Sequence, residues 1–380
     1  MITRSVLFID HARELGGAEH SLFLLLRFLD RQRFQPHLAC GGDPLARRAA
    51  ELGVPVQAIA LPRLRRSPSW ARDWLRGARA LAAHARAVDA RLLVANTVRA
   101  ALYTALAARL AGVPFVWHMR DFWLSEERPR SLWADRLGKT ILGAAACCII
   151  ANSHSTAAHL PCSRKVVVVH NGIDAARYTP QMDGRPFRQQ HAIPAAAPLI
   201  GVVGRLRPWK GQARFLGAAA RVARARPDAW FAIVGGTILD ADRSYGQELQ
   251  RMAVELGLAE RVVFTGQLDD VRPALAAMDV FVHPGDPEPF GLATVEAMAM
   301  GKPVVAFGHG ALPEIVEEGV SGLLAPPGDE EALAQAVLAL LSDEEWRAAM
   351  GRAGRARVER AFTAERMAAE VAAVLAACLT

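Results

Sequence analysis

Short uninterrupted apolar runs alternate with helical patterns along almost the whole chain, and they do so in two successive series. Residues 6–9, 38–40, 92–94, 115–117 and 148–151 make the first series; residues 199–203, 230–234, 262–264, 280–283 and 303–306 make the second. A strand of a parallel sheet is buried on both faces and therefore reads as a continuous apolar run, not as an alternation. Helical patterns at 19–29, 212–225, 244–256, 271–277, 291–300 and 330–341 supply the crossovers that parallel strands need. Two such series predict two doubly wound α/β domains. At 380 residues the chain is also too long for one ordinary core. The boundary is expected in 171–198, where the turn pair Asn171-Gly172 is followed by Pro180, Pro186, Pro194 and Pro198. This gives a first domain over 1–175, a second over 176–357 and a terminal helical stretch over 358–380.

Charge is unevenly divided. Residues 1–175 hold 24 Lys and Arg against 13 Asp and Glu, while the remainder holds 21 against 25. Ten arginines (47, 48, 63, 65, 66, 72, 76, 79, 86 and 91) face three acids within 47–91. Such a surface is either simply solvated or meets an anionic partner: a phospholipid surface, a lipid-diphosphate acceptor or nucleic acid. Tryptophans 70, 74, 123 and 133 lie in the same Arg-rich stretches and suit either a membrane interface or a core. The longest apolar run, 141–151, falls well short of the roughly 18–20 residues that span a bilayer. The N-terminal apolar run is too short for a signal peptide. The five cysteines at 40, 147, 148, 162 and 378 form no C-x-x-C, so neither a metal cluster nor a disulfide framework is expected. These features predict a cytoplasmic chain that is either soluble or peripheral on the inner face of the plasma membrane.

The chemistry is concentrated in a few loops. In Val-His-Pro-Gly-Asp-Pro-Glu-Pro-Phe-Gly-Leu-Ala-Thr-Val-Glu, Glu288 sits in a proline-broken loop and Glu296 about two turns into a helix that starts near Phe290. Two carboxylates then accept hydroxyl hydrogen bonds, and the N–H groups at the helix start, near Phe290, Gly291 and Leu292, suit an anion between them. A ligand with hydroxyls at both ends and phosphate in the middle is a nucleotide-sugar. Gly204-Arg205-Leu206-Arg207-Pro208-Trp209-Lys210-Gly211 follows the first strand of the second series. Cations at a helix start are unfavourable without an anion, so Arg205 and Lys210 point to a diphosphate. Gly16-Gly17-Ala18-Glu19 opens the first helix after a strand, where glycines admit close approach of a phosphate. No G-x-G-x-x-G occurs, which argues against a dinucleotide cofactor. His118, in Trp-His-Met-Arg-Asp, follows a predicted strand at the end where such folds bind ligands. Asp121 either orients Arg120 or His118, or caps the next helix. Asp240-x-Asp242 has the spacing of a metal-binding pair but reads as a solvated loop.

Taken in order, Gly-Gly-Ala-Glu, His118, Asn-Gly-Ile-Asp at 171–174, Arg205/Lys210, Phe264-Thr265-Gly266-Gln267 and Glu288/Glu296 resemble the motif series of retaining glycosyltransferases of the GT-B fold, family 4. The resemblance spans residues 16–322. It implies two Rossmann-like domains facing a central cleft, with the terminal helix crossing back to the first; that helix alternatively just closes the second. It implies that Gly16 and Gly17 close over the donor diphosphate, and that Gly204 belongs to a phosphate clamp. The backbone at Gly266 would meet the nucleobase. Glu296 would hold the ribose, Glu288 the sugar hydroxyls, and Phe290, Gly291 and Leu292 the sugar and phosphate. His118, Arg205, Lys210 and Glu288 are the expected catalytic set. No cofactor and no metal are expected, only a nucleoside-diphosphate sugar as donor. The acceptor would be a glycan, lipid-linked or a small molecule, in cell-surface polysaccharide or glycolipid synthesis. An anionic membrane surface is a further candidate partner, and nucleic acid a disfavoured one. A nucleotide-sugar epimerase of the same fold, or a basic membrane- or nucleic-acid-binding protein without catalysis, are the alternatives; the second leaves the paired glutamates unexplained.

Overall fold

In the computed structural model, residues 3–12, 14–64, 69–124, 129, 131–236 and 243–379 are described. The chain divides into two compact units, Met1–Ile173 with Thr363–Thr380, and Asp174–Phe362. Asp240-x-Asp242, Arg65 and Arg66 lie outside the described residues.

The first unit runs β1 (Arg4–Ile9), α1 (Gly17–Phe28), β2 (Phe34–Cys40), α2 (Asp43–Glu51), β3 (Val56–Ala58), α3 (Trp70–Ala87), β4 (Leu92–Ala95), α4 (Val98–Ala111), β5 (Phe115–Met119), α5 (Leu132–Ala145), β6 (Cys148–Ala151), α6 (His154–Ala158) and β7 (Val166–Val168). Its strands pair in parallel in the order β3-β2-β1-β4-β5-β6-β7. The central strands are sealed on both sides. Leu7, Ile9, Leu93, Phe115 and Trp117 pack under α3, α4 and α5. Val6, Phe8, Leu92, Val94 and Val116 pack under α1, α2 and the chain's last helix. Caps fix where the helices begin and stop: Thr97 accepts from the Ala100 N–H (3.4 Å), Ser131 from Ala134 (3.3 Å), and Gly112 ends α4.

The second unit runs α7 (Arg185–Gln190), β8 (Leu199–Val203), α8 (Gln212–Ala225), β9 (Trp230–Val234), α9 (Arg243–Glu255), β10 (Val262–Phe264), α10 (Arg272–Ala277), β11 (Val280–His283), α11 (Leu292–Ala299), β12 (Val304–Phe307), α12 (Leu312–Ile315), β13 (Gly322–Ala325), α13 (Glu330–Ser342) and α14 (Glu344–Ala361). Its six strands are parallel in the order β10-β9-β8-β11-β12-β13. A core of Ile200, Val202, Phe215, Leu216, Phe231 and Ile233 lies under α8, α9 and α13. The chain closes with α15 (Ala364–Ala377), whose Met367, Val371 and Leu375 join the core of the first unit beside α1. A parallel bridge between Ile173 and Thr363 leads into it.

In each sheet the strand order reverses once, between β1 and β4 and between β8 and β11. The carboxyl ends of strands flanking such a reversal leave a crevice where open α/β sheets bind ligands. Both crevices are where the polar side chains collect. Among the described residues no disulfide forms, and no helix is long and apolar enough to cross a membrane.

Candidate active site

In the second unit the reversal point is built by two loops. After β8, Gly204 lies beside the aliphatic chain of Lys210. A 3-10 turn at Pro208–Lys210 ends in Gly211 with φ 76° and ψ 20°. Any side chain there would be strained by that φ and would also strike the Pro284 carbonyl of the facing loop. The loops are tied further: Asp286 N–H donates to the Trp209 carbonyl (2.7 Å), and Arg214 reaches the Pro284 carbonyl (3.1 Å) and Asp286 (2.5 Å). This brings Lys210 and Glu288, 78 positions apart, into a direct ion pair. His283 Nε2, at the end of β11, lies 3.3 Å from the same Glu288 Oε1. Burial of Glu288 would raise its pKa, but the Lys210 ammonium and then His283 more than reverse this and hold the carboxyl well below the usual carboxylate range. Lys210 also sits over the Trp209 ring, 4.5 Å from its centroid.

Arg205 does not join this pair. Its side chain is exposed, and its backbone carbonyl accepts from Gln212 Nε2 (2.9 Å). Of the two cations expected to meet a diphosphate, Lys210 is therefore anchored by an ion pair and Arg205 is exposed.

The helix after Glu288 starts at Leu292, not near Phe290, because Gly291 has φ 109° and ψ 57°. Glu296 thus stands little more than one turn into α11, instead of two. Phe290 is buried, in edge contact with Phe362. Thr294 Oγ1, in the first turn, is buried without a partner among the described residues. Tyr178 donates its hydroxyl to Glu296 Oε1 (2.9 Å), leaving Oε2 for other donors. Burial raises the Glu296 pKa to about 7, and the Tyr178 bond only partly offsets that. Gly266, with φ 68°, follows β10 and accepts from the Gly235 N–H (3.1 Å).

The first unit has its own polar cluster where β1, β4 and β5 end. Arg120 is buried and spends its guanidinium on four neighbours. Nε donates to Asn96 Oδ1 (2.7 Å), Nη1 to Ser21 Oγ (2.7 Å) and Asn171 Oδ1 (2.5 Å), and Nη2 to His118 Nδ1 (3.2 Å). Asn96 in turn donates to Asp10 Oδ2 (2.7 Å). Arg cannot accept a hydrogen bond, so His118 Nδ1 must be the acceptor and Nε2 must carry the proton. Burial, then the Arg120 charge, lower the His118 pKa well below its ordinary value, so the ring is neutral. Its Nε2–H is buried with no partner among the described residues, a donor in search of an oxygen. His118 is within β5, not beyond it. Arg120 orients the imidazole, the charge of the exposed Asp121 acts on Arg120, and the cap of α5 is Ser131.

Gly16 caps α1 through its own N–H, which donates to Glu19 Oε2 (2.7 Å). Gly17 is the first residue of that helix. Burial and the Asp10 charge raise the Glu19 pKa to about 7. Asn152 and Ser153 serve α6: Ser153 Oγ accepts from the Thr156 N–H (2.9 Å), and Thr156 Oγ1 donates to Asn152 (2.8 Å). Asp10, Asn96, Tyr178 and His283 were not singled out from sequence. His283 ends β11, and Asp10 and Asn96 directly follow β1 and β4, so all three share the strand-end position that flags a ligand site; Tyr178 carries no local signal.

Two parallel doubly wound units, each with its polar residues at the sheet reversal, define the GT-B architecture. Comparison with known proteins agrees. The model of glycosyltransferase family 4 matches residues 15–177, and that of glycosyl transferases group 1 matches residues 183–357. A 2-deoxystreptamine N-acetyl-D-glucosaminyltransferase of Streptomyces fradiae is 32% identical over 289 residues, 69% of this chain and 67% of that protein. The lipopolysaccharide core biosynthesis mannosyltransferase LpsB of Rhizobium meliloti (strain 1021) is 35% identical over 228 residues, 60% of this chain and 64% of LpsB, so the match spans less than two thirds of that relative. The crystal structure of Anabaena HepE in complex with UDP-glucose superposes with a TM-score of 0.83 at 28% identity, covering 98% of this chain and 99% of HepE. The chain belongs to family 4 of the glycosyltransferases.

Proposed function

We propose that the protein moves a sugar from a nucleoside-diphosphate sugar to a glycan carried on a lipid, with retention of the anomeric configuration. The observation that carries this is the Lys210–Glu288–His283 group at the reversal of the second sheet, beside the start of α11. A lysine ammonium has three N–H donors, and Glu288 uses one. The others, with the uncommitted Arg205, stabilise the negative charge that builds on the departing diphosphate. These cations make a metal ion unnecessary in the proposal. Glu288, held ionised, accepts from sugar hydroxyls, and Glu296 Oε2 accepts from the ribose. The neutral His118 Nε2–H donates to a sugar or acceptor oxygen. The sugar C1–phosphate bond breaks, the acceptor oxygen bonds C1 on the same face, and the acceptor proton passes to the leaving phosphate oxygen. LpsB is a lipopolysaccharide core biosynthesis mannosyltransferase, which supports a cell-surface glycolipid acceptor, and HepE was crystallised with UDP-glucose, which supports a nucleotide-sugar donor.

The test is a thermal-shift screen with UDP, GDP, ADP, dTDP and their sugars, repeated with EDTA. A rise with one nucleotide class, unchanged by the chelator, is expected and names the base. No rise at concentrations up to ~1 mM, where even a weak site stabilises by mass action, would overturn the donor site.

The Glu296 carboxyl adds a pH signature. It ionises through about 7, and only the carboxylate accepts from two ribose hydroxyls. Affinity for the nucleotide-sugar, whose esterified diphosphate does not titrate in this range, should rise from pH 6 to pH 8 by up to roughly ten-fold. Calorimetry across that range checks it, with Glu296→Gln expected to bind more weakly and without the slope. A wild-type profile as flat as the variant's would remove Glu296 from the donor site.

A further inference from the structure

The solvent side of α5 is made of the wrong residues for a surface helix. A helix on a globular protein buries one apolar stripe and turns polar residues outward. In α5 the buried side is already occupied. Lys139 pairs with Asp135 (2.6 Å) and donates to the Phe122 carbonyl (2.5 Å), Asp135 accepts from the Leu124 N–H (2.7 Å), and Leu142 enters the core. Yet the outer side carries Leu132 at 47% exposure, Trp133 at 73%, Leu137 at 43% and Ile141 at 60%. Trp133, Leu137 and Ile141 recur every four residues, so they form one line along the helix.

Charge says what covers that line. α3, α4 and α5 lie side by side on the same face of the first sheet. Apart from the buried Lys139–Asp135 pair, they carry seven arginines (72, 76, 79, 86, 99, 109 and 136) against Asp73. Trp70 (46% exposed) and Leu110 (37%) add apolar surface to α3 and α4. A second copy of this chain would bring like charges together, which opposes self-association. An apolar line with tryptophan, flanked by arginines, is the pattern of a helix lying in the headgroup region of an anionic bilayer.

We propose that the first unit docks on anionic phospholipid through α5, with Trp133, Leu137 and Ile141 entering the acyl boundary and the arginines of α3 and α4 meeting headgroup phosphates. Trp74 and Trp123 take no part: Trp74 donates Nε1–H to the Leu102 carbonyl (2.8 Å), and the Trp123 ring packs on Lys139 and His159. The inference rests on the reading of a lipid-borne acceptor, but its test needs neither donor nor acceptor and can fail while nucleotide binding succeeds.

The full chain is floated with phosphatidylcholine vesicles, with and without one third phosphatidylglycerol. Binding to the anionic vesicles only is expected, weakened roughly ten-fold by 0.5 M NaCl. The combined variant Trp133→Ser, Leu137→Ser, Ile141→Ser should lose at least about ten-fold in partitioning while keeping its melting temperature and its nucleotide shift. Arg72→Gln with Arg79→Gln gives a second variant that leaves the helix faces intact and should weaken anionic binding alone. Three results would overturn the proposal: equal binding to both vesicle types, anionic binding insensitive to both variants, or a lipid-free dimer that the α5 variant abolishes.

Discussion

Lys210→Ala is expected to lower the rate of sugar transfer by roughly a hundred- to a thousand-fold, or ~2.7–4 kcal/mol in the barrier. The lysine is the described cation at the sheet reversal that is ion-paired to Glu288, and the exposed Arg205 cannot replace it without first losing side-chain freedom. Steady-state turnover at saturating donor measures the loss, and wild-type turnover would remove Lys210 from the chemistry. The fold should feel the change too. The Glu288 side chain is 8% exposed and that of Lys210 is 21%, so deleting the lysine strands a buried carboxylate. That costs toward the lower end of ~3–5 kcal/mol. A double variant, Lys210→Met with Glu288→Gln, separates the two effects. With both charges gone, most stability should return in urea denaturation while transfer stays lost.

Arg120→Met should be the most damaging single change in the first unit, by ~3–5 kcal/mol in urea denaturation. It deletes four hydrogen bonds to Asn96, Ser21, Asn171 and His118 and leaves Asp10 and Glu19 without their nearest buried cation. Arg120→Lys keeps the charge but not the fork, and should recover only part. His118 gives an independent readout. Arg120 is what forces the proton onto Nε2, so in Arg120→Lys both imidazole tautomers should appear by nitrogen NMR. A loss below ~1 kcal/mol in Arg120→Met would mean that this cluster does not hold the strand ends together.

The buried strands were legible because nothing but a continuous apolar run can sit between two helical layers. β6, β8, β9, β10 and β11 begin and end where the apolar runs do. β3 and β7 escape because both are three-residue strands on sheet edges: Gln57 breaks the run of β3, and the apolar run of β7 is too short to stand out. α14 escaped because its sequence, Glu-Glu-Trp-Arg-Ala-Ala-Met-Gly-Arg, is charged on most sides and its buried positions are Met350, Gly351, Gly354 and Val358, two of them glycine. The glutamates of the second unit stand out through their spacing across one loop and the helix after it, and the cations through theirs in another loop. Their pairing does not, because Lys210 and Glu288 meet across the sheet reversal. Asp10 and Asn96, 86 positions apart, meet for the same reason. Topology, not local pattern, decides which side chains share a crevice.

The return of α15 to the first unit bears on how the chain matures. Ala364, Met367, Val371 and Leu375 complete a hydrophobic layer whose other members, such as Val6, Phe8, Leu25 and Leu92, are made at the opposite end of the chain. A ribosome delivers the second unit, Asp174–Phe362, as an uninterrupted segment whose core can close as soon as it emerges. The unit begun first is the unit finished last. Until the final helix appears, the α1 side of its sheet stays partly open to water, and the nascent chain carries that exposed apolar surface through the synthesis of everything in between.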